Sequence, residues 1–212
     1  MARTASRPAG TKAGARKKTA KKSGQKAASG SSPRSGPRPT RAAAARTTAT
    51  RGAGKRGRPQ VGILYASTSD EPVMKECWGL LERLGVPCER KLVSAHRMPE
   101  TTAAYARGAR KRGLRVLICG AGMAAHLPGV VASLTTLPVI GVPLCGSAME
   151  GQDALLSMVQ MPAGVPVATV AVGKAGAKNA AILAVQMLAL GDPALTRKLD
   201  ELKRRLESGE KV

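Results

Sequence analysis

The chain has 212 residues with 35 Lys+Arg against 13 Asp+Glu, a formal net charge of +22 and a sequence pI near 11.0. Taken whole, such a charge reads as a nucleic-acid binder, but residues 1–58 hold 17 of the basic residues and no acid, which leaves +5 for everything after Arg58. No segment approaches the roughly 18 uninterrupted apolar residues of a membrane span, and the start lacks the apolar run of a secretory signal.

From Ala2 to Gln60 there is no Val, Ile, Leu, Met, Cys or aromatic residue. A segment of that composition buries too little apolar surface to offset its chain entropy, so residues 1–59 read as a disordered basic tail and 60–212 as one domain. The pairs Lys17-Lys18, Lys21-Lys22 and Lys55-Arg56 suit non-specific contact with nucleic acid or another polyanion through residues 1–58. An Arg-, Ser- and Ala-rich start without acids also suits an organelle transit peptide, against which its Gly and Pro breaks argue.

Past Gln60, short continuous apolar runs alternate with helical stretches. The runs are 61–65, 91–93 with its flanks, 114–119, 138–142 and 165–172; helices are expected over 71–84, 99–112, from 127, from 152, over 174–190 and, after Gly191-Asp192-Pro193, over 193–206. Runs without polar alternation belong to strands covered on both faces, and strand–helix alternation implies parallel pairing through right-handed crossovers. The expected fold is therefore a three-layer α/β/α sandwich with a mostly parallel, flavodoxin- or Rossmann-like sheet. Ligands of such sheets bind beyond the carboxyl ends of the strands, so the residues after each run carry the functional information.

After the first run comes Ala66-Ser67-Thr68-Ser69-Asp70. Hydroxyls and free N–H groups ahead of a helix make an anion site, and Asp70 either caps the helix or accepts hydrogen bonds from sugar hydroxyls. Ser94-Ala95-His96-Arg97-Met98-Pro99 follows the second run and puts a titratable imidazole beside a guanidinium, which suits proton transfer next to a phosphate; a surface histidine near a helix cap is the plainer reading. After the third run, Gly120-Ala121-Gly122-Met123-Ala124-Ala125-His126 matches GxGxxA in form. That dinucleotide fingerprint needs the first strand and an acid about 20 residues on, whereas no Asp or Glu occurs between Glu100 and Glu150. The glycines instead leave room for a ligand to approach the backbone, and His126 is either a ligand contact or a core histidine. Cysteines 77, 88, 119 and 145 form no CxxC pair and the chain has 2 histidines, so neither a disulfide framework nor a metal centre is expected. Cys145 has no evident base and reads as incidental.

In their order, SxSD, SAHR-x-P, AGMAAHLPG, VIGVPL and DALLSMVQMPAGVPVATVAVGKAGAKNAA resemble class I 5-(carboxyamino)imidazole ribonucleotide mutases of purine biosynthesis, from about Val61 to Leu206. The resemblance implies a cytoplasmic, homo-octameric isomerase that uses neither cofactor nor metal and acts on a small-molecule ribonucleotide. It makes His96 the general acid/base. Ser67, Ser69 and Arg97 would hold the phosphate or ribose end and Asp70 the ribose hydroxyls, with Ser94, Ala95, Ala121 and Gly122 lining the pocket and His126 at its edge. Departures from the family pattern are Ala66 for Gly, Met98 for Thr and Gln152 for Leu; the added methyl at Ala66 could crowd the phosphate turn. Two rivals stand beside this reading: direct carboxylation of aminoimidazole ribonucleotide, and an inactive nucleotide-binding relative tethered to nucleic acid by its tail.

Overall fold

The computed structural model describes residues 57–212, so the expected tail falls almost entirely outside the described residues. Five parallel strands form one sheet in the order β2-β1-β3-β4-β5: β1 Val61–Tyr65, β2 Cys88–Leu92, β3 Val116–Gly122, β4 Val139–Leu144 and β5 Ala168–Thr169. Six α-helices connect or follow them: α1 Glu71–Arg83, α2 Pro99–Arg112, α3 Leu127–Ser133, α4 Gln152–Val159, α5 Gly173–Ala189 and α6 Pro193–Glu207. Among the described residues no helix is long and apolar enough to cross a membrane.

The period-2 alternation of strand side chains sorts the core into two layers. Val61, Ile63, Val116, Ile118, Ile140 and Val142 face α1 and α5, whose Met74, Cys77, Leu81, Ala177, Ala181 and Val185 complete one cluster. Leu64, Leu117, Cys119 and Val139 face Ala106 and Ala109 of α2, Val131 of α3 and Met158 of α4 in the other. Both sheet faces are covered, which is why the strands read as unbroken apolar runs. Helix ends follow their local chemistry: α2 opens at Pro99 and stops at Gly113, whose φ of 95° provides a left-handed cap. The Asp192 carboxylate accepts from the Ala194 and Leu195 amides at 2.9 and 3.4 Å and starts α6.

Four strand bounds differ from expectation; among them β4 runs through Pro143 to Leu144, two residues past the expected 138–142. β3 continues through Gly120-Ala121-Gly122, pairing Gly120 with both Tyr65 and Val142, so these residues end a strand instead of forming a loop after it. β2, expected at 91–93 with its flanks, is a charged edge strand over Cys88–Leu92, where Glu89, Arg90 and Lys91 interrupt the apolar pattern and hide its start. β5 shrinks from 165–172 to two residues because Pro166 has no N–H and Val165 turns back to donate to the Pro162 carbonyl.

Candidate active site

β1 leads through α1 to β2 on one side and β3 lies on its other side, so the sheet order reverses at the carboxyl ends of β1 and β3. At such a switch point the following loops splay to opposite faces and open a crevice. A cavity of about 600 Å³ lies there, and Ser67, Ser69, Asp70, Ser94, Ala95, His96, Arg97, Ala121, Gly122 and His126 all line it. The segments come from three strand ends that sequence reading could only treat separately.

The post-β1 loop is built by its own side chains. Ser67 Oγ accepts from the Ser69 amide at 3.3 Å and from Ser69 Oγ at 2.9 Å, while the Ser67 amide donates to Asp70 Oδ2 at 2.9 Å. This reciprocal capping box closes a short 3₁₀ turn over Thr68–Asp70. Asp70 therefore secures the loop and makes no side-chain cap on α1. Burial raises its pKa, and the hydrogen bonds from Ser67 and Ala66 and the charge of Arg97 only partly oppose that. Ala66 lies outside the left-handed region, so its methyl brings no backbone strain there; its carbonyl accepts from Arg97 Nη2 at 3.0 Å. That bond ties the loop after β1 to the loop after β2. In the latter, Ser94 Oγ accepts from the Arg97 amide at 3.3 Å.

His96 and His126 meet across the cavity. Nε2 of His96 lies 2.8 Å from Nδ1 of His126, and the rings stand edge to face, 89° apart with centroids 4.9 Å apart. One proton must lie between those nitrogens, so the contact couples the tautomer of one ring to that of the other. His126 is exposed to the cavity, not a core histidine.

Met123, Cys145, Gly146 and Leu127 also line the cavity and were not singled out as site residues. Position just after β3 and β4 was the available signal. Cys145 Sγ donates to the Glu150 carbonyl at 3.4 Å; Cys77 and Cys119 are buried thiols whose pKa values burial pushes up. A larger cavity of about 710 Å³ between α1 and α6 has an apolar floor that includes Leu80, Leu84 and Leu202, under charged side chains. It contains neither histidine nor hydroxyl and offers no comparable chemistry. Among the described residues no group of three or more His, Cys, Asp or Glu is arranged to hold a metal ion.

Fold and site together define an α/β protein whose cavity at the switch point of the sheet brings hydroxyls and one guanidinium beside a hydrogen-bonded imidazole pair. The AIR carboxylase family model matches residues 60–209. The chain is 58% identical to the N5-carboxyaminoimidazole ribonucleotide mutase of Bacillus subtilis over 143 residues, covering 68% of this chain and 88% of that protein. It is 53% identical to the mutase of Pyrococcus horikoshii over 157 residues, covering 72% and 88%. The crystal structure of Treponema denticola PurE superposes with a TM-score of 0.61 at 28% identity, over 72% of this chain and 92% of that one. This chain belongs to the AIR carboxylase family.

Proposed function

We infer that the protein is an isomerase of purine biosynthesis that converts 5-(carboxyamino)imidazole ribonucleotide to 4-carboxy-5-aminoimidazole ribonucleotide. The observation that carries this is the 2.8 Å His96–His126 contact beside the Ser67, Ser69 and Arg97 cradle, in a chain 58% identical to a mutase. The carboxylate leaves the exocyclic nitrogen as carbon dioxide while His96 protonates that nitrogen. The ring carbon then attacks the carbon dioxide and His96 takes up the ring proton, so the imidazole ends in its starting state. One group working in both protonation states suits histidine, whose ordinary pKa lies near neutrality.

His126 positions the His96 ring and selects its tautomer. Ser67, Ser69 and the Arg97 guanidinium bind the phosphate or ribose end, and Asp70, through the carboxylate capacity left after Ser67, the ribose hydroxyls. Ser94 orders the backbone that presents His96, and Ala95, Ala121 and Gly122 let the ring approach the main chain. No cofactor or metal is part of this scheme. A homo-octamer is part of it, supported by the exposed apolar Leu156, Val159 and Leu190 outside the cavity, as is a cytoplasmic location, on the ground of the metabolic class.

The test is turnover of the substrate without added bicarbonate by the parent and by His96→Asn. The parent converts it, and the variant loses on the order of 10²–10⁴-fold in kcat while still folded and still binding. Strict dependence of the parent on bicarbonate would point to direct carboxylation instead, and no conversion at all would overturn the assignment.

A further inference from the structure

The residues that lead into the domain read Lys55-Arg56-Gly57-Arg58-Pro59, and the catalytic scheme uses none of them. Gly57 is exposed. Among the described residues a Cβ built on it would meet nothing nearer than Pro87 at 3.8 Å, so packing of the domain does not require a glycine there. Arg58 is exposed as well, and its guanidinium lies on the Lys111 and Arg112 carbonyls at the end of α2 in bonds that face solvent. Water replaces such bonds at small cost when the side chain swings away. Beside it, Arg107, Arg110 and Lys111 follow one exposed face of α2. Among the described residues none of these three forms an ion pair.

We propose that Arg56-Gly57-Arg58 is a minor-groove arm that reads A·T-rich duplex DNA. This does not rest on the mutase reading. Residues two apart in extended backbone project to the same side, so both guanidiniums can enter one groove. A glycine between them lets the main chain approach the groove with no side chain in the way. Arginines spaced in this manner serve the minor-groove arms of other DNA-binding proteins. A·T tracts have a narrow minor groove of enhanced negative potential, which suits the weakly hydrated guanidinium better than an ammonium. A G·C pair adds the guanine amino group to that groove and spoils the fit. The wide, shallow minor groove of an RNA duplex offers no such slot. Arg107, Arg110 and Lys111 add contacts to flanking phosphates, which position a duplex without choosing its sequence.

The experiment measures binding of the full chain, at one salt concentration, to DNA duplexes of equal length centred on A·T, G·C or inosine·C pairs, and to an RNA duplex. Inosine·C keeps the major-groove edge of G·C and lacks the minor-groove amino group. The parent binds the A·T and inosine·C duplexes about tenfold more tightly than the G·C duplex, and the RNA no better than G·C. Arg56→Lys combined with Arg58→Lys keeps the net charge, retains the G·C affinity and loses the preference. Gly57→Ala weakens the preference while its thermal midpoint matches the parent, since the added methyl meets only Pro87 at van der Waals distance. A parent that binds all four duplexes alike, or favours A·T but not inosine·C, overturns minor-groove readout. A double lysine variant that keeps the preference overturns the role of the two arginines.

Discussion

Asp70 shows how one side chain holds a loop at the wall of the cavity. Its carboxylate closes the capping box on the Ser67 amide at 2.9 Å, yet burial raises its pKa above the ordinary 3.8. The folded chain therefore binds this proton more readily than the unfolded chain, and the residue withdraws stability as pH rises from the ordinary carboxylate value through the raised one. Asp70→Asn keeps an acceptor for Ser67 without the charge. The thermal midpoint of the variant should gain on the parent by up to a few degrees across that window and hold level above it, and a pH-independent difference would show that the charge is not the cause. The same residue illustrates what sequence could tell. SxSD marked an anion-type turn, but whether Asp70 would cap α1 or close back on Ser67 depended on the intervening 3₁₀ turn, which the residue types alone do not choose.

At the scale of elements, α5 is placed by its smallest residue. A Cβ on Gly176 would lie 1.6 Å from the Ala171 carbonyl oxygen, a backbone atom that cannot rotate away. Gly176→Ala must push the helix off the strand end that precedes it. A loss of roughly 1–3 kcal/mol in denaturant unfolding is expected, the range for overpacked interiors; an unchanged midpoint would mean the 171–176 turn moves freely. Downstream, the buried Ala177, Ala180, Ala181 and Ala184 give α5 a smooth face that packs against α1. The helix was readable from its length and apolar content. Its close approach was not, since an alanine-rich face packs as well at a surface as in a core. β2 and β5, the two edge strands, were the least legible: the charged β2 breaks the apolar run that announces a central strand, whereas the apolar run at 165–172 pairs over only two residues.

For the whole molecule, the chain enters the domain away from the cavity. Arg58 donates to the Arg112 and Lys111 carbonyls at 2.7 and 3.0 Å, capping the end of α2, and the Gln60 amide donates to Pro87 at 2.9 Å. Both contacts lie at the amino edge of the sheet, whereas the site opens at its carboxyl edge. Deleting residues 1–56 should therefore leave kcat and KM unchanged. We expect the tail, a separate unit from the catalytic domain in our reading, to carry the affinity for polyanions. In gel shifts the full chain should bind DNA with an affinity that falls by roughly 10³-fold or more between about 50 and 200 mM salt, as for proteins neutralising several phosphates. The truncated chain should not bind; equal binding by both would put the affinity in the domain.

Sequence by itself determined the α/β class, the central strands, the helices and the post-strand segments that line the cavity, because each rests on patterns within a few residues of one another. Tertiary structure alone decided which segments meet. His96 and His126 are 30 positions apart and become partners only because β3 lies one strand away from β2, across β1. The Arg97 bond to Ala66 has the same origin. Strand order is set by how helices pack on both faces of the sheet, and a long-range property of that kind leaves no local periodicity in the chain.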